Sequence, residues 1–459
     1  MVKSKRLQLS ASPVEVTRAL LETSSGGVLF FDSQAGADAR SRWSMVLCTP
    51  TRWLTEAEPG AGALVEQPSG RPVADPLAWM RSAQTTVVSD DAGDFPFVGG
   101  VAGFWSYECG AYLDDLRVEL PRLDAPLLWV GVYGAGLLFD HHLQQWWVVG
   151  ASADVEALYL QIKALVFHTS PGGGDAVAGY GVPPEDVGAP IYQRGAQAAV
   201  DAIFAGDLFE VNYSERWEGH WSPGGWALYQ RLRQRAPGPF GCFASWEGGA
   251  LASVSPEQFL EVSAEGIVRT RPIKGTRPRG ETPEEDARWA EELVVSEKDR
   301  AENVMIVDLM RNDLARVCVP EEVRVSELCG LHSFASVHHL ISTVEGRLAP
   351  EADALDVFAA CFPAGSITGA PKLRAMEWIA EHEASPRGPY TGSMFYWSGH
   401  GRFDSNVLIR TATLLGTRAL YGAGGAVVAD SDPSGEWQEA CWKARPFVHA
   451  LGGEESGDA

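Results

Sequence analysis

Two short segments each place acidic residues three positions apart: Asp299 and Glu302 in EKDRAENVMIVD, and Glu436 and Glu439 in GEWQEACWK. Side chains at i and i+3 leave a helix on one face, so each segment can present a carboxylate pair. Four carboxylates brought together repel one another unless a cation neutralises them, and an all-oxygen, water-retaining set suits magnesium. The same spacing is ordinary on a solvated helix surface, and nothing local says that the two helices meet.

Lys274 stands in RTRPIKGTRPRG. A free lysine has a pKa near ~10.4, so only roughly one in 2500 is neutral at pH 7. A nucleophilic lysine must be desolvated or set beside positive charge. Arg269, Arg271, Arg277 and Arg279 crowd it in sequence, which fits that role or, equally, a basic surface turn. Arg410 in SNVLIRTAT sits among apolar residues and is expected to point inward from a strand, where it needs an internal carboxylate or an anionic substrate. The segment Gly422 to Ser431, GAGGAVVADS, reads as a turn whose uncrowded N–H groups can hold an anion. Glu257 in SPEQF is either a general acid or the first-turn acid of a helix after Ser255-Pro256. His338 and His339 are adjacent, so on a strand they face opposite ways, and neither has metal-ligand spacing to another His or Cys. Phe362 to Ser366 is no phosphate loop, because the GxxxxGK[ST] pattern is missing.

The elements that must position these residues divide the chain unevenly. Residues 1–168 alternate in short runs, such as Gly27 to Asp32 and Trp146 to Gly150, that read as strands, with helices near 13–23 and 153–167. Residues 169–190 are rich in Gly and Pro and read as a linker or loop. The region 191–452 holds the candidate chemistry: a helix from Gln193 to Ala205, a strand in GDLFEVNYSERWEG, and a long helical pattern from about Pro283 to Val317. Further helices begin near Lys372 and after Ser434, the latter read as an N-cap.

Composition bounds the function. The 459 residues carry a net charge of −23, which repels nucleic acid and anionic membranes at long range. The seven cysteines are dispersed, with no C-x-x-C pair, and read as reduced thiols of a cytoplasmic protein. The amino terminus shows no signal-peptide pattern, and the longest uncharged run, Ala125 to Phe139, is too short for a membrane span.

Taken in order, GDLFEVN, SPEQF, PIKGTRPRG, KDRAENVMIVDLMRNDLARV, HHLISTVEGRL, PAGSITGAPKLRAME, IRT and AGGAVVADS resemble the large subunits of anthranilate synthase and aminodeoxychorismate synthase, within the chorismate-utilising enzymes. The likeness is dense over about 195–450 and loose before it, through LLETSS and GGVAGFWSYECG. It implies an α+β fold of antiparallel sheets in a sandwich flanked by helices. It also implies that Glu302 and Glu439 bind magnesium, supported by Asp299 and Glu436. Arg410, Tyr390, Ser366, Lys443 and the amides of Gly424, Gly425 and Ala426 then hold the chorismate carboxylates, while Gly275, Thr276 and His339 line the same pocket.

Lys274 discriminates among products. Anthranilate synthases resemble this chain but read PIAGT, whereas PIKGT and GSITGAPK look like the branch that makes 4-amino-4-deoxychorismate for para-aminobenzoate and folate. In that branch Lys274 is the nucleophile and Glu257 the acid. Glu210 departs from the glutamine usual in both aminating branches. Phe240-Gly241-Cys242-Phe243 lacks the pattern of a glutaminase nucleophile, so ammonia is expected from a separate glutamine amidotransferase subunit or free ammonium. An anthranilate synthase with an unusual lysine and a catalytically silent paralogue are the alternatives.

Overall fold

A computed structural model describes residues 2–24, 26–34, 42–84, 93–113, 116–167, 185–334 and 337–452. Two antiparallel sheets form its centre, one of eleven strands and one of twelve among the described residues. Each draws strands from both ends of the chain. In the first sheet Leu29–Asp32 pairs with Phe240–Trp246; in the second Gly100–Trp105 pairs with Ser393–Ser398.

Strand alternation builds the sandwich. Along Trp43–Leu47, Met45 and Leu47 enter the apolar cluster between the sheets while Val46 faces the opposite side. Ala102, Phe104, Trp129 and Met394 of the second sheet close that inner cluster. Full burial of such side chains contributes about 1.5–3 kcal/mol each. Helices cover the outer faces: Pro433–Ala450 and Gly225–Arg235 lie on the first sheet, and Pro283–Val295 and Glu297–Ala315 on the second. The expected α+β sandwich is what the chain forms. No helix among the described residues is long and apolar enough to cross a membrane.

Local boundaries differ from the sequence pattern in three places. The helical run from Pro283 breaks at Ser296, whose extended backbone (ψ 108°) ends one helix and whose hydroxyl accepts from Asp299 N to begin the next. A serine that bonds its own neighbourhood ends a helix more readily than it continues one. The last helix is capped by Asp432, not Ser434, with Pro433 at its first position. Most of the 169–190 linker lies outside the described residues, but its end belongs to the helix Glu185–Phe204. Gly188 reads as a loop residue in sequence; in the helix, a Cβ there would fall 2.7 Å from the Trp437 ring, so the small residue allows close packing.

The chain changes sheets twice near the chemistry. It leaves the first sheet after Ser255 and enters the second at Gln258, then returns between Asn406 and Thr411. The crossings are tied together: Val407 N donates to Glu257 O (3.1 Å), Val254 N to Arg410 O (3.1 Å), and Ser255 Oγ to Val407 O (2.6 Å). Glu257 and Arg410 are thereby fixed where neither sheet's ladder claims them.

Candidate active site

Lys274 lies on the strand Ile273–Pro278, whose register against Val337–Arg347 shifts between Ile273 and Thr276. Gly275 takes a φ of +85°, and a Cβ there would press on Leu293 and the Asp299 side chain at 3.0 Å. A bulge of this kind re-aims a side chain. Lys274 Nζ donates to Glu210 Oε1 at 2.7 Å, reaching across from the second sheet to the strand Glu210–His220 of the first. Both groups are buried, at 8% and 0% exposure.

The arginines near Lys274 in sequence do not lower its pKa. Arg269 pairs with Glu345, Arg271 with Glu261, Arg277 with Glu292 and Asp299, and Arg279 with Asp286. Burial pulls the lysine down, but the charges of Glu210 and Glu302, the Glu210 hydrogen bond and the Glu257 charge outweigh it. Lys274 is held above the ordinary lysine value, as an ammonium.

Glu257 is not a helix residue. It sits in the sheet crossing, its N–H donating to Ser255 Oγ (3.2 Å) and its Oε1 accepting from Ser366 Oγ (2.7 Å). Ser366 comes from the short turn Gly365–Ile367. Burial pushes the Glu257 carboxyl up to about 7, against the Ser366 bond and the Lys274 charge. A carboxylic acid of that pKa suits proton donation near neutrality.

The expected anion-binding residues come from several elements. Arg410 is not on a strand: it occupies the return crossing with φ 52°, its guanidinium 5.3 Å from the Trp442 ring centroid. The apolar run before it continues across the gap between sheets, which is why it mimics a strand. Residues 422–427 are strand, not turn. Within Arg418–Val427, Gly424, Gly425 and Ala426 lie opposite Ser214, Tyr213 and Asn212. The missing side chains allow close approach, since a Cβ on Gly422 would enter the Tyr390 ring at 2.2 Å. Tyr390 Oη meets Ser214 Oγ at 3.1 Å. Lys443 Nζ donates to Gly424 O (2.7 Å) and pairs with Glu439 (2.6 Å). Thr276 Oγ1 meets His339 Nδ1 at 2.9 Å, and burial together with the Arg410 charge brings His339 down to about 4, leaving a neutral imidazole. His338, as expected of a neighbour on a strand, serves other partners, Ser333 and Asp286.

The two acidic helices do meet. Lys298 Nζ lies 4.0 Å from Glu302 and 3.9 Å from Glu436. Burial lifts Glu302 to about 7, with Lys274 opposing and Glu210 adding to the rise. Glu436 accepts from Ser431 Oγ at 2.7 Å, while its buried Oε2 has no hydrogen-bond partner among the described residues. Asp299 is held by Arg277 at 3.2 Å. Among the described residues no three acidic, His or Cys side chains converge closely enough to enclose an ion as they stand. The donor set is nevertheless all carboxylate, with an unpartnered oxygen and with lysine ammoniums as its present counterions. It fits a hard, hydrated dication.

Three contributors escape a motif reading: Lys298, Trp442 and the Glu210 contact. One signal pointed to the last. In EVNYS, Glu210, Asn212 and Ser214 alternate with Val211 and Tyr213, which is a polar face on an otherwise buried strand.

Fold and site together define an enzyme class. A family model described as chorismate binding enzyme matches residues 40–449, and the chain belongs to this family. Within it, aminodeoxychorismate synthase component 1 of Klebsiella aerogenes is 34% identical over 433 residues, covering 90% of this chain and 91% of that protein. Anthranilate synthase component 1 of Streptomyces coelicolor is 36% identical over 438 residues, covering 88% and 85%. Among solved structures, anthranilate synthase component I from Streptococcus pneumoniae superposes with a TM-score of 0.75 at 28% identity, covering 89% of this chain and 92% of that one. Overall identity does not separate the two activities, so the decision falls to individual residues.

Proposed function

We propose that this chain is the synthase subunit that converts chorismate and ammonia to 4-amino-4-deoxychorismate in the cytoplasm, on the way to para-aminobenzoate and folate. The observation that carries the reading is Lys274: a buried amine on a bulged strand, sharing a site with a carboxylic acid of pKa about 7. In this reading Lys274 Nζ attacks C2 of the ring, the two ring double bonds shift, and the C4 hydroxyl leaves as water with a proton from Glu257. Ammonia then adds at C4 and expels the lysine, and the enolpyruvyl group stays in place. Because Lys274 occupies C2, the amine cannot enter there, so covalent catalysis sets regiochemistry as well as rate.

Arg410, Lys443, Tyr390, Ser366 and the amides of Gly424, Gly425 and Ala426 orient the substrate carboxylates; Gly275, Thr276 and His339 shape the wall beside the ring. Glu302 and Glu439, supported by Asp299 and Glu436, would hold magnesium. When bound, that ion supplies positive charge that neutralises and polarises the ring carboxylate. Ammonia reaches the site from a separate glutamine amidotransferase subunit or from free ammonium.

The test is turnover of chorismate with magnesium and ammonium, with products followed by mass in the presence and absence of aminodeoxychorismate lyase. A C4-aminated product that yields para-aminobenzoate only with lyase supports the reading, and Lys274→Ala should abolish it while chorismate still binds. Direct release of anthranilate and pyruvate would overturn the product assignment. Chelation should stop turnover and added magnesium restore it.

A further inference from the structure

The proposed chemistry leaves one proton unaccounted for. Lys274 attacks as a neutral amine, yet the structure holds it as an ammonium on Glu210. Glu210 is fully buried; one oxygen lies 2.7 Å from Nζ and the other, Oε2, has no hydrogen-bond partner among the described residues. No water path is needed between the two groups, since they already share a hydrogen bond. A glutamine at this position would offer an amide oxygen to the same nitrogen, but an amide does not take up a proton near neutrality. The other charges bearing on Lys274 are Glu257 beside the sheet crossing and Glu302 and Glu439 on the two acidic helices. Of these, Glu257 is committed as a proton donor and the carboxylates of the helix pair would hold the cation.

We propose that Glu210 is the proton acceptor for Lys274, taking the ammonium proton as the amine attacks and returning it when the lysine is expelled. This rests on the nucleophilic role assigned to Lys274 above. An N–H bond of the ammonium breaks and an O–H bond on Glu210 forms; the freed lone pair makes the N–C2 bond. The C4–O bond breaks with the proton of Glu257, releasing water. Ammonia, formed from ammonium by giving a proton back to Glu257, then bonds to C4. The C2–N pair returns to Nζ, which retrieves its proton from Glu210. Chorismate plus ammonium gives aminodeoxychorismate plus water, and both carboxyl groups end as they began.

The experiment follows the first half-reaction alone. The full chain is mixed with chorismate and saturating magnesium without ammonia, and the adduct of chorismate less one water on Lys274 is timed by intact-protein mass between about pH 4.5 and 6, below the Glu257 titration near 7, where that acid stays protonated. For the native chain the pair carries its own proton acceptor, so the rate is expected to be flat over this range. In Glu210→Gln the lysine must first lose its proton to bulk water, so the rate should fall tenfold per pH unit on acidification. It should be at least about 100-fold below native at the acid end, with Glu210→Asp restoring part of the rate and the flat profile. A Glu210→Gln chain as fast as or faster than native with a flat profile would overturn the proposal, because the glutamate would then only trap the lysine. If that variant does not fold, a native rate that itself falls tenfold per unit overturns it equally. No adduct in the native chain would instead refute the nucleophilic role of Lys274, a separate failure.

Discussion

Ser366→Ala tests whether Glu257 is the acid. Ser366 Oγ donates to Glu257 Oε1 at 2.7 Å inside a buried site. The bond favours the ionised carboxylate, and it is the largest influence opposing the burial that lifts the group to about 7. A hydrogen bond to a charged group is worth about 1.5–3 kcal/mol, and one pKa unit corresponds to about 1.36 kcal/mol. Losing the bond should therefore move the titration of Glu257 upward by about 1–2 pH units. A general acid works only while protonated, so its rate declines as pH rises through its pKa. Adduct formation on Lys274, measured without ammonia to avoid the titration of ammonium itself, should decline above pH 7 in the native chain. In Ser366→Ala the decline should begin about 1–2 units higher. An unmoved limb, or one displaced to lower pH, would refute the assignment of Glu257 or the sign of the Ser366 effect. A weaker chorismate affinity in the same variant would not, since it appears in KM rather than in the position of the limb.

Stability offers three more tests. The folded Glu257 carboxyl titrates near 7 against 4.5 for an ordinary glutamate; its favourable contribution is present below the lower value and lost as pH rises through the upper one. The native chain should thus lose up to roughly 3 kcal/mol relative to Glu257→Gln between these limits, read by urea unfolding at several pH values; parallel curves would contradict it. Lys372 Nζ contacts Asp313 Oδ2 and Cys361 O, both at 2.7 Å and buried. Lys372→Met leaves Asp313 with the half-exposed Arg316, 3.0 Å from its Oδ1, and should cost about 2–3 kcal/mol, short of the roughly 3–5 kcal/mol of a wholly unpaired buried charge; a cost below about 1 kcal/mol would show the pair to be inert. In Gly424→Ala the new Cβ would lie 2.0 Å from Tyr213 O, a backbone atom that cannot swing away. The strands must part, lowering stability by about 1–3 kcal/mol and weakening chorismate binding by calorimetry; full native affinity would mean the Gly424 amide is not used.

What is local was legible in the order of residues alone. Alternating apolar positions placed the strands Gln145–Ala151 and Glu210–His220, and the Gly/Pro-rich turn before Lys372 marked the start of a helix. Spacing of three put each carboxylate pair on one helix face, and the order of motifs carried the family. Boundaries were less legible, because Ser296 and Asp432 act through cap geometry that competes with propensity. Tertiary structure alone decided the electrostatics. The arginines adjacent to Lys274 in sequence turned to other carboxylates, while its real partner, Glu210, stands 64 residues away on the opposite sheet. Lys298 joins two helices that share no local signal. Arg410 lies at a crossing between sheets, a position visible only once both ladders are formed. Charges interact through space and respond to burial, and neither separation nor burial is a property of neighbouring letters.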